Sequence, residues 1–158
     1  MKRIWKTDLR KDLKLRLFQA TVESVLLYGS EAWTLTVALE KSLDGCYTRM
    51  LRMALNVSWK EKMPNNILYG KLPKVSDRIR NRRMRLAGHI QRHDDLSAHN
   101  LLLWEPLHGH RQQGAPRITY VDTLRKDTEL NDVGDIRKLM SDRKLWRDNI
   151  RARTLKPP

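Results

Sequence analysis

The chain has 158 residues, 32 Lys and Arg against 18 Asp and Glu, and a formal charge of +14, and 40% of it is hydrophobic. That length supplies about one ordinary domain's worth of core and excludes a large multidomain enzyme. A lone Cys46 excludes an intramolecular disulfide framework and a cysteine-rich zinc module, and no run approaches the ~18 apolar residues of a membrane span.

Residues 13–28 place Leu13, Leu17, Thr21, Val25 and Tyr28 near one stripe, widened by Phe18, Val22 and Leu26. The spacing predicts a core-facing helix ended by Gly29. Residues 37–55 repeat the pattern through Leu39, Leu43, Cys46/Tyr47, Met50/Leu51 and Ala54, with Gly45 as the weak point of one helix. Cys46 on that stripe reads as a small buried hydrophobe, not a nucleophile. The stretch 56–73 carries Pro64, Asn65, Asn66, Gly70 and Pro73, so it must turn repeatedly, with room for a short helix from Asn66 to Tyr69.

Ser76 is the expected cap of the next helix, whose apolar track runs through Val75, Ile79, Arg82/Arg83, Leu86 and Ile90. A further helix is predicted over 96–104, before Pro106, Gly109, Gly114 and Pro116 impose a loop. Thr119 starts a short helix through Tyr120, Val121 and Leu124, which Asn131, Asp132 and Gly134 interrupt, and Ser141 is the expected cap of a last helix carrying Leu145, Trp146 and Ile150. The sum is an all-α or mostly α chain: a helical region over 1–104, a Gly/Pro connection over 105–117 and a short basic helical extension over 118–158.

Charge is unevenly spread along these elements. Residues 1–16 hold seven basic and two acidic side chains, whereas 17–36 hold no basic residue and only Glu23 and Glu31. Residues 71–95 and 137–156 each hold eight basic side chains, against three and two acidic ones. Such clustering favours a polyanionic partner, nucleic acid first. The basic N-terminus lacks the continuous apolar stretch of a signal peptide, so a reduced intracellular setting is expected. Basic clusters serve nuclear import as well as nucleic-acid contact, which leaves nucleus and cytoplasm both open.

The sharpest candidate site is the basic helix 78–92, wrapped by Arg78, Arg80, Arg82, Arg83 and Arg85. Arginines three or four residues apart share a helix face, where their guanidinium forks can bridge phosphates. A solvated face paired with acids is the competing reading. The loop GHRQQGAPR at 109–117 offers His110, Arg111 and Arg117 among glycines that permit close backbone approach, and Gln112 and Gln113 both donate and accept; an ordinary exposed connection competes with that reading. The five tryptophans are scattered, which favours packing over a base-stacking array, with Trp33, Trp104 and Trp146 expected in the core or in a contact between subdomains. His89 and His93 share a face beside Asp94 and Asp95, but HIQRH lacks the glutamate of HExxH. His89 is expected in packing and His93 at the surface, with no metal site. The Asp94–Asp95 pair lacks the further carboxylates that metal-assisted polymerisation or cleavage needs.

The runs LKLRLFQATVESVLLYGSEAWTL (13–35), RMLRMALNVSW (49–59), RIRNRRMRLAGHIQRHDD (78–95), Trp104, GHRQQGAPRITYVDTLRKD (109–127) and DRKLWR (142–147) follow one another in a specific order. In that order they resemble the C-terminal, post-polymerase part of the reverse transcriptase polyprotein of non-LTR (LINE-like) retrotransposons, over nearly the whole chain. The resemblance implies a small multi-helix, thumb-like domain with a basic C-terminal extension, gripping a template–product duplex or element RNA beside a catalytic palm. Where the family commonly has GRPRxxW, this chain has GAPRITY at 114–120, with Ala115 for an arginine and Tyr120 for a tryptophan.

No FADD-like or YADD-like aspartate motif occurs. The resemblance therefore implies a noncatalytic remnant or truncated product of an RNA-directed DNA polymerase with endonuclease. Its expected partners are RNA, DNA or an RNA/DNA hybrid and the missing palm, with no membrane; it needs no cofactor of its own, and Mg2+ is expected only at that palm. Phosphate contacts are expected at Arg78, Arg82, Arg85, Arg111 and Arg117, extended by Lys11, Lys14 and Arg16, while Leu17, Val25, Leu43, Leu86 and Trp146 are expected to be structural. Two other classes stay open: an interaction or self-associating module whose apolar stripe at 17–28 once packed on the palm, and a residual polymerase or metal-dependent nuclease component relying on Asp94 or Asp95.

Overall fold

The computed structural model describes residues 5–70, 72–95, 97–105, 114 and 118–154. Helices joined by turns make up the fold, and no strand occurs among the described residues. The chain divides into two compact units, the first formed by Met1–Ser30 with Val37–Arg78 and the second by Glu31–Thr36 with Ile79–Pro158.

Unit 1 begins with α1, in which Lys11–Phe18 continues through a widened π-type turn, Gln19–Glu23, into Ser24–Leu26. Gly29, at φ +67°, ends it as expected. The apolar stripe, however, is displaced. Burial falls at Lys14, Phe18, Glu23 and Leu27, while Leu13, Val25 and Tyr28 are exposed: the inward face already sits one residue on from the expected stripe at Lys14 and Phe18, and the π-type turn then makes the next step, Phe18 to Glu23, five residues long. Val25, expected to be structural, therefore lies outside the core. Glu23 can occupy a core position because the Tyr47 hydroxyl donates to it at 2.8 Å and Arg78 forms an ion pair with it.

Helix α2, Val37–Ala54, buries Tyr47, Leu51 and Ala54. The Phe18 ring stands edge-on to Tyr47 with centroids 5.4 Å apart, and Tyr47 lies 6.1 Å from Tyr69 on α3, Asn65–Tyr69. Cys46, expected in the core, is exposed because its neighbour Tyr47 takes the inward position. Helix α4, Val75–Gln91, opens one residue before the expected cap. Ser76 lies inside it, and its amide and hydroxyl donate to Asp44 of α2 at 3.0 and 2.8 Å. The acceptor at this helix start thus comes from α2, not from Ser76.

Unit 2 holds the rest of α4, then α5 (Ser97–Leu102), α6 (Tyr120–Thr128), α7 (Val133–Ser141) and α8 (Arg143–Thr154). Thr119 and Asp122 form a reciprocal capping box on α6. Asp132, read from sequence as part of a break, caps the unexpected α7 by accepting from the Asp135 amide at 2.9 Å. Asp142, not Ser141, caps α8: it accepts from the Lys144 and Leu145 amides, while the Ser141 hydroxyl returns to the Arg137 carbonyl.

The core of this unit gathers Met84, Ala87, Leu102, Leu103, Leu124, Ile136, Met140, Trp146 and Ile150. Residues before and after the 105–117 connection therefore share one core. Trp146 is buried as expected, but Trp104 is exposed and Leu103 packs in its stead. His89 is also exposed, since Ala87 and Gly88 hold the adjacent inward positions. Arg83 is fully buried, with its guanidinium on Asp127 at 2.7 Å and on the Trp33 carbonyl at 2.7 Å. Burial pushes the Asp127 carboxyl above the usual carboxylate range, against the opposing pull of Arg83 and Arg80.

Candidate nucleic-acid interface

The nominated basic residues divide between the units. In unit 1, Lys11 and Arg16 are exposed, but Lys14 is buried and donates to the Trp5 carbonyl at 3.0 Å. Arg78 is committed to Glu23. In unit 2, Arg82 and Arg85 are both exposed and share a shallow hollow of about 200 Å³ with Glu31 and Leu86. Arg111 and Arg117, like Ala115, lie outside the described residues.

Unit 2 has a larger depression between α4 and α8, of about 420 Å³. Arg85 and Arg92 line it from α4, Arg143, Arg147 and Arg151 from α8, with Trp146 and Ile150 between them and no carboxylate in the lining. Other arginines of the unit are neutralised in place: Arg80 and Arg83 by Asp127, Arg125 by Glu105, and Arg153 by Glu129. By contrast, Arg85, Arg143 and Arg147 have no acidic partner among the described residues, and Arg151 has only Asp148 of its own helix at 3.9 Å. Partial burial and the neighbouring Arg143 both lower the pKa of the Arg92 guanidinium, which is anchored on the Met140 carbonyl at 2.8 Å. Five guanidiniums held around one hollow repel each other, and a bound anion removes that repulsion.

What brings the two helices together is a glycine and an indole. A Cβ on Gly88 would stand 2.5 Å from the Trp146 Cδ1 and closer still to Nε1, so only glycine admits the ring against α4. The Trp146 Nε1 then donates to the Met84 carbonyl at 2.9 Å. Arg143, Arg147 and Arg151 sit four residues apart on α8 and project along one face, about 6 Å from one to the next at 1.5 Å per residue.

Sequence reasoning missed Arg92, Arg143, Arg147 and Arg151 as site residues. The signal for three of them was present: DRKLWRDNIRAR contains an i, i+4, i+8 arginine ladder around a buried tryptophan. That Arg85 and Arg92 line the same hollow is a tertiary fact with no local signature.

The chain is 28% identical, over 163 residues, to an uncharacterised transposon-derived protein of Caenorhabditis elegans. It is linked to transposable-element proteins. The alignment covers 94% of this chain and 58% of the nematode protein, so the transposon-linked chain spans little more than half that relative's length. No family model matches the sequence, and no solved structure matches it significantly.

Proposed function

We propose that the chain is a noncatalytic helical segment of a non-LTR type transposon reverse transcriptase, and that it holds the sugar–phosphate backbone of RNA, DNA or an RNA/DNA hybrid. The observation that carries this reading is the α4/α8 hollow, lined by five arginines and no carboxylate, where Arg85, Arg143 and Arg147 have no acidic partner among the described residues. Similarity to a transposon-derived protein supports the setting. On this reading the chain brings charge and shape, and the polymerase palm, as its protein partner, brings the catalytic acids and their Mg2+.

The test is a titration of purified protein into a labelled RNA–DNA hybrid, with duplex DNA and single-stranded RNA as comparators, across a salt series. Backbone contact predicts affinity that falls steeply and log-linearly with salt for every ligand. Absence of binding, or binding indifferent to salt, contradicts the proposal.

A second reading draws on unit 1, where Val25 and Tyr28 of the α1 end and Trp59 are 75%, 86% and 81% exposed. Exposed apolar side chains of this size favour docking or self-association. Sedimentation that shows reversible association, abolished by Val25→Ser with Tyr28→Ser, supports it; a monomer at all concentrations opposes it.

A further inference from the structure

We infer that the α4/α8 hollow is a built site for a row of consecutive phosphate groups, with Arg143, Arg147 and Arg151 each engaging one phosphate along the row while Arg85 and Arg92 close on it from α4. The natural occupant, one strand of a polynucleotide, rests on the nucleic-acid reading above. A free polyphosphate chain presents the same chemistry.

The three α8 arginines form a linear ladder about 12 Å long at 1.5 Å per residue, which suits a chain of phosphates better than a single compact anion. Each guanidinium presents a planar fork that takes two phosphate oxygens at once. The hollow, at about 420 Å³, is in the ordinary range for a bound ligand, roughly 300–1,000 Å³. Its floor offers nothing to a base. Trp146 is 3% exposed and its indole N–H is already given to Met84, while Ile150 is apolar, so neither a stacking platform nor an amide is available there. The floor therefore adds no readout of base or sugar, and oligouridylate and oligothymidylate strands of equal length are expected to bind alike.

The experiment uses the full chain with three probes: inorganic tripolyphosphate, oligouridylate and oligothymidylate. Two charge-matched variants are compared, Arg143→Gln/Arg147→Gln/Arg151→Gln and, at exposed positions of unit 1, Lys41→Gln/Arg49→Gln/Lys60→Gln. Circular dichroism checks that both keep their helix content, and Arg143→Lys/Arg147→Lys/Arg151→Lys serves as the version that retains charge. The expected result is calorimetric binding of tripolyphosphate that competes with both strands. The α8 variant then weakens strand binding on the order of tenfold and lowers the salt slope by about 2, from three contacts at about 0.7 each. The unit 1 variant leaves both nearly unchanged, and the lysine version restores the slope but not the full affinity.

Equal losses in the two glutamine variants overturn the site and leave the broader nucleic-acid reading standing. Tripolyphosphate binding that the α8 variant abolishes, with neither strand bound, supports the phosphate site and overturns the nucleic-acid reading.

Discussion

Gly88→Ala isolates the contact on which the hollow depends. In an isolated helix the change stabilises by about 1 kcal/mol, because alanine is the better helix former. Here the added Cβ meets the indole of Trp146, 2.5 Å from Cδ1, and stands 2.9 Å from a guanidinium nitrogen of Arg92. The ring cannot swing aside, since it is 3% exposed and tied to Met84. Forcing a methyl into a packed site costs about 1–3 kcal/mol, and loss of the indole hydrogen bond adds about 1 kcal/mol. After subtracting the propensity gain the variant should be less stable by roughly 1–3 kcal/mol. Gly45→Ala is the internal control: this helical glycine has open space around its missing Cβ, so the same substitution should stabilise by about 0.5–1 kcal/mol. Urea denaturation followed by tryptophan fluorescence reads both, and with an m-value near 2 kcal/mol/M the Gly88 variant loses about 0.5–1.5 M in midpoint. A midpoint unchanged or raised in Gly88→Ala refutes the packing account.

Replacing Asp127 by Asn leaves Arg83, 1% exposed, without its carboxylate; a loss of about 3–5 kcal/mol is expected and is measurable as a midpoint shift in urea. Asp142→Ala removes the acceptor for two amides at the start of α8 and should cost about 0.5–2 kcal/mol, with faster hydrogen exchange at Lys144 and Leu145. Burial pushes the Tyr120 hydroxyl up to about 12, and that hydroxyl has no hydrogen-bond partner among the described residues. The unfolded state ionises first, near 10, so stability present below pH 10 is lost as pH rises toward 12. Tyr120→Phe should therefore leave the pH 7 midpoint equal or higher and flatten the alkaline decline; an unaltered decline in the variant counts against the assignment.

Most of the helices were legible because their local signals agreed with the fold. Gly29 ends α1, the Thr119–Asp122 box starts α6, and prolines and glycines break the chain between Asn56 and Pro73. Faces were less legible. The inward face of α1 starts one residue on from the expected stripe, at Lys14 and Phe18, and a π-type turn then adds one more residue to the next step, which admits Glu23 and Leu27 to the core and leaves Val25 outside it. Periodicity computed for an unbroken helix has no means of registering that step. Among the arginines of α4, which one is buried was decided by Asp127, forty-four residues away, and by the Trp33 carbonyl. Arg82 and Arg85 are exposed on the charged face that the sequence shows, and of the two Arg85 lines the α4/α8 hollow. The α8 ladder was overlooked because its meaning depends on Gly88 admitting Trp146, and so on a contact between residues far apart in sequence.

Arginine footprinting tests the central claim most directly. The protein is treated with a guanidinium-selective dicarbonyl reagent, with and without saturating oligouridylate, and modified positions are read by mass spectrometry. Protection concentrated at Arg85, Arg143, Arg147 and Arg151, with exposed Arg49 modified equally in both states, is the predicted result. Uniform protection of all exposed arginines, or protection confined to positions outside α4 and α8, contradicts it.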